Sequence, residues 1–169
     1  PDINTIQMIW NIIEQHPGTA MLEAARAHAP DCVFNVRVTH ASGMLEGKYT
    51  EDTVFAENDH RRHLPRSWLI NGIQKVRTLD FLTKRMTLGQ AALKWLLADP
   101  LIVTTLPNIY DDEQLDEFAA ASDLDDLSSD DLARIADLNA VNFGISGETQ
   151  AYKGTMQRDA AEHAAQAVR

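Results

Sequence analysis

The sequence predicts an α/β fold built on a parallel sheet, and three observations lead there. Short β-branched or apolar runs at residues 3–9, 32–38 and 101–106 alternate with stretches of helix-forming residues. The 169 residues suffice for one domain, and 44% hydrophobic against 24% charged is a globular balance. Three parallel strands alone would leave two bare edges. The sheet is therefore expected to be part of something larger, such as a (β/α)₈ barrel of about 250 residues. Three strand–helix units plus extensions would account for this length.

Residues 3–9 mix Ile, Thr and Met, and Asn11 and His16-Pro17-Gly18 follow as a loop. Residues 19–29 are rich in Ala, Leu, Met, Glu and Arg, good helix formers that end at Pro30-Asp31. Residues 32–38 form the second strand, apolar around Asn35 and Arg37. Strand, helix, strand favours parallel pairing through a helical crossover.

A long polar connection spans residues 39–67, with Ser42-Gly43, Gly47-Lys48 and the run Asp59-His60-Arg61-Arg62-His63. Connections of this length usually carry function or move. Residues 68–82 are expected to be helical despite Gly72. Thr87 and Gln90 have the spacing of a capping box, and Leu88, Ala91, Ala92, Trp95 and Leu96 then share one helical face. Asp99-Pro100 stops that helix. Residues 101–106, Leu-Ile-Val-Thr-Thr-Leu, predict a strand buried on both faces. Pro107 and Asn108 turn the chain. Asp111 and Gln114 form a second capping signature ahead of an apolar stripe of Leu115, Phe118 and Ala119. Ser128 caps a further helix, with Leu132, Ile135 and Ala136 directed inward. The pattern weakens near Asn142, so the reading places a partial barrel at 1–142 and a C-terminal extension at 143–169, its alanine-rich end at 158–169 a candidate helix.

Charge and composition exclude several classes. The net charge is −10, and a pI near 4.9 opposes nucleic-acid binding, which needs a positive footprint. Asp111 to Asp131 holds 10 of the 25 acidic residues and no Lys or Arg, which reads as a solvated face with helix caps. The single cysteine, Cys32, leaves no internal disulfide and suits a reducing compartment. The longest apolar stretch, residues 101–106, is far short of the roughly 20 needed to span a bilayer. With no signal-like segment, the expected location is the cytoplasm, with no membrane partner. Asp59 to His63 could be drawn as a metal site, but two arginines oppose a cation, so no metal is expected. The chain opens on Pro1 and not Met, which predicts a piece of a longer reading frame.

Four motifs in order resemble the C-terminal half of an aldo-keto reductase. They are Gln7-Met-Ile-Trp10-Asn11; Arg37-Val-Thr-His-Ala-Ser42-Gly43-Met-Leu45-Glu-Gly47-Lys48; Thr87-Leu-Gly-Gln90-Ala91-Ala92-Leu93; and Leu106-Pro107 leading into Glu113-Gln114-Leu115. The resemblance covers residues 3–138 and implies the C-terminal part of a TIM barrel, strands six to eight, incomplete in this chain. It implies NADP or NAD as cofactor and a small aldehyde or ketone as substrate. The family's catalytic tyrosine, lysine, aspartate and histidine belong to the other half, so no catalytic residue is expected here. The missing N-terminal half is then the implied partner.

The resemblance assigns cofactor roles residue by residue. Gln7 matches the glutamine that meets the nicotinamide carboxamide, a group needing both donor and acceptor. Arg37 stands where many relatives stack a tyrosine on the nicotinamide; its planar guanidinium can stack or reach the pyrophosphate. Val38 and His40 follow, His40 at a position usually apolar in relatives, where the backbone makes the contact. Ser42 and Gly43 fall in the loop that in barrels commonly helps to build a phosphate site. Asn108, Ile109, Gln114 and Phe118 stand where the family has a lysine, serine and arginine for the 2′-phosphate and an asparagine near adenine. The phosphate clamp is therefore expected to be weak, and the choice between NADP and NAD stays open. A rival expectation is a non-catalytic half-barrel that self-associates for binding or scaffolding.

Overall fold

The computed structural model describes residues 3–146. Three five-residue strands, β1 (Thr5–Ile9), β2 (Val33–Arg37) and β3 (Ile102–Leu106), form one parallel sheet in the order β1-β2-β3. The helix α1 (Gly18–His28) joins β1 to β2. Between β2 and β3 lie α2 (Arg66–Arg77) and α3 (Leu88–Leu97), and β3 is followed by α4 (Asp112–Ala119) and α5 (Ser129–Ala140).

Alternation along the strands decides which face is covered. Met8, Phe34, Val36 and Ile102 are buried, and they join one core with Leu22 and Ala25 of α1 and Ala91, Ala92 and Leu96 of α3. Gln7 and Arg37 lie on the opposite, exposed face, with Asn35 between them in the register. The helices therefore cover one side of the sheet. Trp10, just past β1, packs against Trp95 with centroids 4.3 Å apart and the rings tilted by 39°, and its Nε1 donates to Thr19 Oγ1 at 3.2 Å. That fixes Trp10 as packing between strand end and helix.

Several expectations are confirmed atom by atom. Thr87 Oγ1 accepts from the Gln90 amide at 3.1 Å, and Gln90 Oε1 accepts from the Thr87 amide at 3.0 Å, completing the capping box of α3. Ser128 and Asp131 form a second one at α5. At α4, Asp111 accepts from the Gln114 amide at 2.8 Å. Gln114 does not return the bond to Asp111; its Oε1 takes the Tyr110 amide instead.

Three expectations need correction. The strand at 101–106 is not buried on both faces: Val103 is 55% exposed and Leu106 45%. Among the described residues β3 is an edge, and a one-residue irregularity opposite Phe34/Asn35 turns Val103 out of register. The helix expected over 68–82 starts at Arg66 and ends at Arg77, and a separate 3₁₀ segment, Asp80–Lys84, follows. Leu115, Ala119 and Ala136 are exposed, so the inward stripe of α4 narrows to Phe118 and that of α5 to Ile135 with the partly buried Leu132.

Gly72 is what lets α2 settle on the loop after β2. A methyl group there would strike the Met44 side chain, which is 2% exposed. The packed body runs through Phe143, which is 3% exposed and belongs to the main core. The candidate terminal helix at 158–169 lies outside the described residues.

Candidate functional site

Because the strands are parallel, their carboxyl ends share one side of the sheet, and the loops leaving β2 and β3 meet there. The β2 loop is tightly wound. Val38, Ala41, Ser42 and Gly43 all have positive φ, from 49° at Ala41 to 90° at Gly43. For a β-branched residue such as Val38 that region is an outlier, and such strain collects at functional sites. The loop is over-determined from below. Asn11 is fully buried, and its Nδ2 donates to the Val38 carbonyl at 3.0 Å.

His40 is the second anchor. It is 4% exposed, its Nε2 lies 3.1 Å from the Gly89 carbonyl, and its ring stacks on Phe118 with centroids 4.4 Å apart. Burial drives its pKa below the ordinary histidine value, with the Gly89 bond opposing more weakly. At neutral pH the ring is a neutral donor tying the β2 loop to α3 and α4.

Beyond His40 the chain presents Ser42 and Gly43. The Ser42 carbonyl accepts from Tyr49 Oη at 2.8 Å and from Arg61 Nη1 at 3.4 Å. Arg61 also donates to Tyr49 Oη, and its guanidinium lies 5.0 Å from the Phe55 ring centroid. Asp59 grips Arg61 through both carboxylate oxygens, which holds the Asp59 pKa down to about 2. The Asp59–His63 run is thus a 3₁₀ turn, His60–His63, capped by Asp59 and bracing the β2 loop. Among the described residues no three His, Cys, Asp or Glu side chains gather as a metal site.

The β3 loop joins the β2 loop through one side chain. Gln114, 4% exposed, donates from Nε2 to Glu46 Oε2 at 2.9 Å and accepts the Tyr110 amide at Oε1, also at 2.9 Å. Burial raises the Glu46 pKa, while Lys48 and the Gln114 bond oppose it more weakly. Asn108 is exposed and donates to Tyr110 Oη at 3.2 Å, and Ile109 is 45% exposed.

The residues singled out from the sequence thus divide. Ser42 and Gly43 lie in the loop after β2, and Asn108, Ile109 and Gln114 follow β3, with Gln114 reaching across to Glu46 of the β2 loop. Gln7 and Arg37 stand apart on the open sheet face. The side chains of His40 and Phe118 are packed against each other beneath the loops. Sequence reasoning missed Asn11, Glu46 and the Tyr49–Arg61–Asp59 brace. Asn11 and Glu46 lay within the motifs already quoted, but neither carried a pattern that named its partner.

No curated protein sequence matches the chain. Residues 1–140 match the model of the aldo/keto reductase family. The chain belongs to the aldo-keto reductase family. Solved structures place this aldo-keto reductase chain among known folds. The glycerol dehydrogenase of Gluconobacter oxydans superposes with a TM-score of 0.69 at 17% identity, covering 94% of this chain and 47% of its own. The holo form of an aldo-keto reductase from Bacillus halodurans gives 0.57 at 19% identity, over 81% and 43%. A thermostable aldo-keto reductase bound to the inhibitor epalrestat gives 0.54 at 20% identity, over 79% and 39%. This aldo-keto reductase chain spans about half the length, or less, of these relatives. The shared fold is α/β, of the kind seen in the family's TIM barrels.

Proposed function

We propose that this chain forms strands six to eight of an aldo-keto reductase barrel and supplies part of the cleft for a nicotinamide dinucleotide. The observation that carries this is the joining of the β2 and β3 loops, through Gln114 and Glu46, at the carboxyl ends of parallel strands. Barrel enzymes build their sites at that end.

The residues present fit such a cofactor. Gln7 is exposed on the open sheet face, and its register partner Asn35 has a buried Oδ1 with no hydrogen-bond partner. A carboxamide, donor and acceptor at once, suits that pair. Arg37 places a cation at the strand's end for the pyrophosphate or the ring. Ser42 and Gly43 follow in the wound loop, whose Ala41 and Gly43 amides already bond the Val38 and His40 carbonyls and so fix its shape. Asn108, Ile109 and Gln114 border the adenosine end, with His40 and Phe118 supporting them from beneath.

When bound, the nicotinamide supplies a hydride to the carbonyl carbon of an aldehyde or ketone. The chain's own residues bind and orient; the proton donor and its supporting residues come from the remaining strands of the barrel. The exposed row of β3, with Val103 and Leu106 uncovered, is the edge those strands would pair.

The test is dinucleotide binding and carbonyl-dependent oxidation of NADH or NADPH. The full-length protein is expected to bind and turn over, and the 169-residue chain alone not to turn over. A full-length protein that binds neither dinucleotide overturns the reading. A soluble, cooperative dimer of the chain alone without dinucleotide affinity would favour the self-associating half-barrel.

A further inference from the structure

We propose that Glu46 sets the cofactor choice of this site: its carboxylate accepts the 2′-hydroxyl of an unphosphorylated adenosine ribose and turns away a 2′-phosphate, so that NADH is preferred over NADPH. This rests on the cofactor placement proposed above.

The argument begins with how Glu46 is held. It ends the 3₁₀ turn Met44–Glu46, whose first two residues are buried, so the turn is fixed by the core. Gln114, itself 4% exposed, pins Oε2 at 2.9 Å. The Gln114 amide is in turn fixed at its oxygen by the Tyr110 backbone. A carboxylate is thus held through Oε2 between the two loops that would flank the adenosine. A ribose diol donates to carboxylate oxygen, whereas an ionised phosphate can only repel it; acidic residues read the ribose hydroxyl in this way in other dinucleotide sites.

The surroundings do not reverse that sign. Arg61, the cation that bears on Glu46 from the brace, is already committed to Asp59 through both carboxylate oxygens. Lys48 lies on the exposed rim. Gln114, an amide, holds a position where a cation would have served a phosphate. Burial, and more weakly Glu117 of α4, raise the Glu46 pKa against Lys48, Arg61 and the Gln114 bond, so acidification should narrow the preference as the carboxylate protonates and becomes a donor.

The experiment measures dissociation constants of the full-length protein for NADH and NADPH by energy transfer from tryptophan to the reduced nicotinamide. NADH is expected to bind at least tenfold more tightly. Glu46→Gln keeps an acceptor for Gln114 and removes the charge; it should tighten NADPH about tenfold while weakening NADH no more than about threefold. Should Glu46→Gln fail to fold, competition by AMP and by its 2′-phosphorylated form against the wild-type complex decides, AMP being expected to win. Wild-type preference for NADPH or for the phosphorylated competitor, or an unchanged NADH/NADPH ratio in Glu46→Gln, overturns the proposal and leaves the cofactor reading standing. Binding of neither dinucleotide overturns both.

Discussion

The side-chain amide of Asn11 donates to the carbonyl oxygen of Val38 at 3.0 Å, linking the end of β1 to the end of β2. Every polar atom of this amide is used. Oδ1 accepts from the amides of Ile13 and Glu14 at 3.2 and 2.9 Å, and Nδ2 also donates to Glu14 Oε2 at 2.7 Å. Asn11→Ala should cost about 1–3 kcal/mol, the penalty for buried polar groups left without partners. Asn11→Asp keeps the acceptor but loses both donated bonds and sets a second carboxylate against Glu14. Its urea midpoint should lie lowest near neutral pH and recover partly on acidification, while Asn11→Ala shows no such recovery.

His40 predicts a pH dependence of stability. Its pKa is lowered from 6.5 by burial, so the unfolded chain takes up a proton more readily than the folded one. Its contribution is therefore complete above pH 6.5 and is lost as pH falls through the folded value. His40→Phe can retain the stacking on Phe118 but removes the ring's bond to the Gly89 carbonyl, which keeps its place in the α3 hydrogen-bond ladder. It should lower stability at pH 8 by about 0.5–1.5 kcal/mol and flatten the acid-side slope. Urea denaturation at a series of pH values reads both effects; an unchanged slope in the variant would show that His40 does not titrate with unfolding.

Much of the fold was legible because local chemistry and tertiary context agree. Thr87 and Gln90 announce a capping box and form one. The 3.6-residue spacing of Leu88, Ala91, Ala92, Trp95 and Leu96 marks the face that is buried. The strand at 101–106 shows where local reading fails. Apolar composition says that a strand wants cover, but the described chain lacks the neighbour that would cover Val103 and Leu106. The site was legible only as a set of positions. That Gln114 would reach Glu46, 68 residues away in sequence, depends on how two loops meet, which no local pattern encodes. Nor does the sequence show which of the neighbouring cations the Asp59 carboxylate would grip; it is Arg61.

Gly43 gives a test of the strained loop. Its φ of 90° disfavours any L side chain, and an added methyl would meet the Tyr49 hydroxyl, with Arg61 Nη1 at 3.3 Å. Gly43→Ala should therefore cost about 2 kcal/mol, of which about 1 kcal/mol is backbone strain. Removing the hydroxyl relieves only the contact. Measured from Tyr49→Phe, the same substitution should cost about 1 kcal/mol. Equal costs in the two backgrounds would mean that Tyr49 moves aside freely and the brace does not constrain the loop.

Arg37 separates the cofactor reading from a structural one. It ends β2 on the open face of the sheet, is exposed, and among the described residues its guanidinium has no hydrogen-bond or ion-pair partner. A structural arginine would be paired, and its loss would register in the melting temperature. Arg37→Ala should instead leave the thermal midpoint within about 2 °C, since surface substitutions away from packed features usually change stability by less than about 0.5 kcal/mol. Dinucleotide affinity in the full-length protein should fall about tenfold or more, as expected for a lost charge-assisted hydrogen bond of about 1.5–3 kcal/mol. Arg37→Lys should recover only part of that loss, because an ammonium supplies the charge but neither the fork nor the planar stacking surface. A drop in stability with unchanged affinity would reverse the assignment and make Arg37 part of the scaffold.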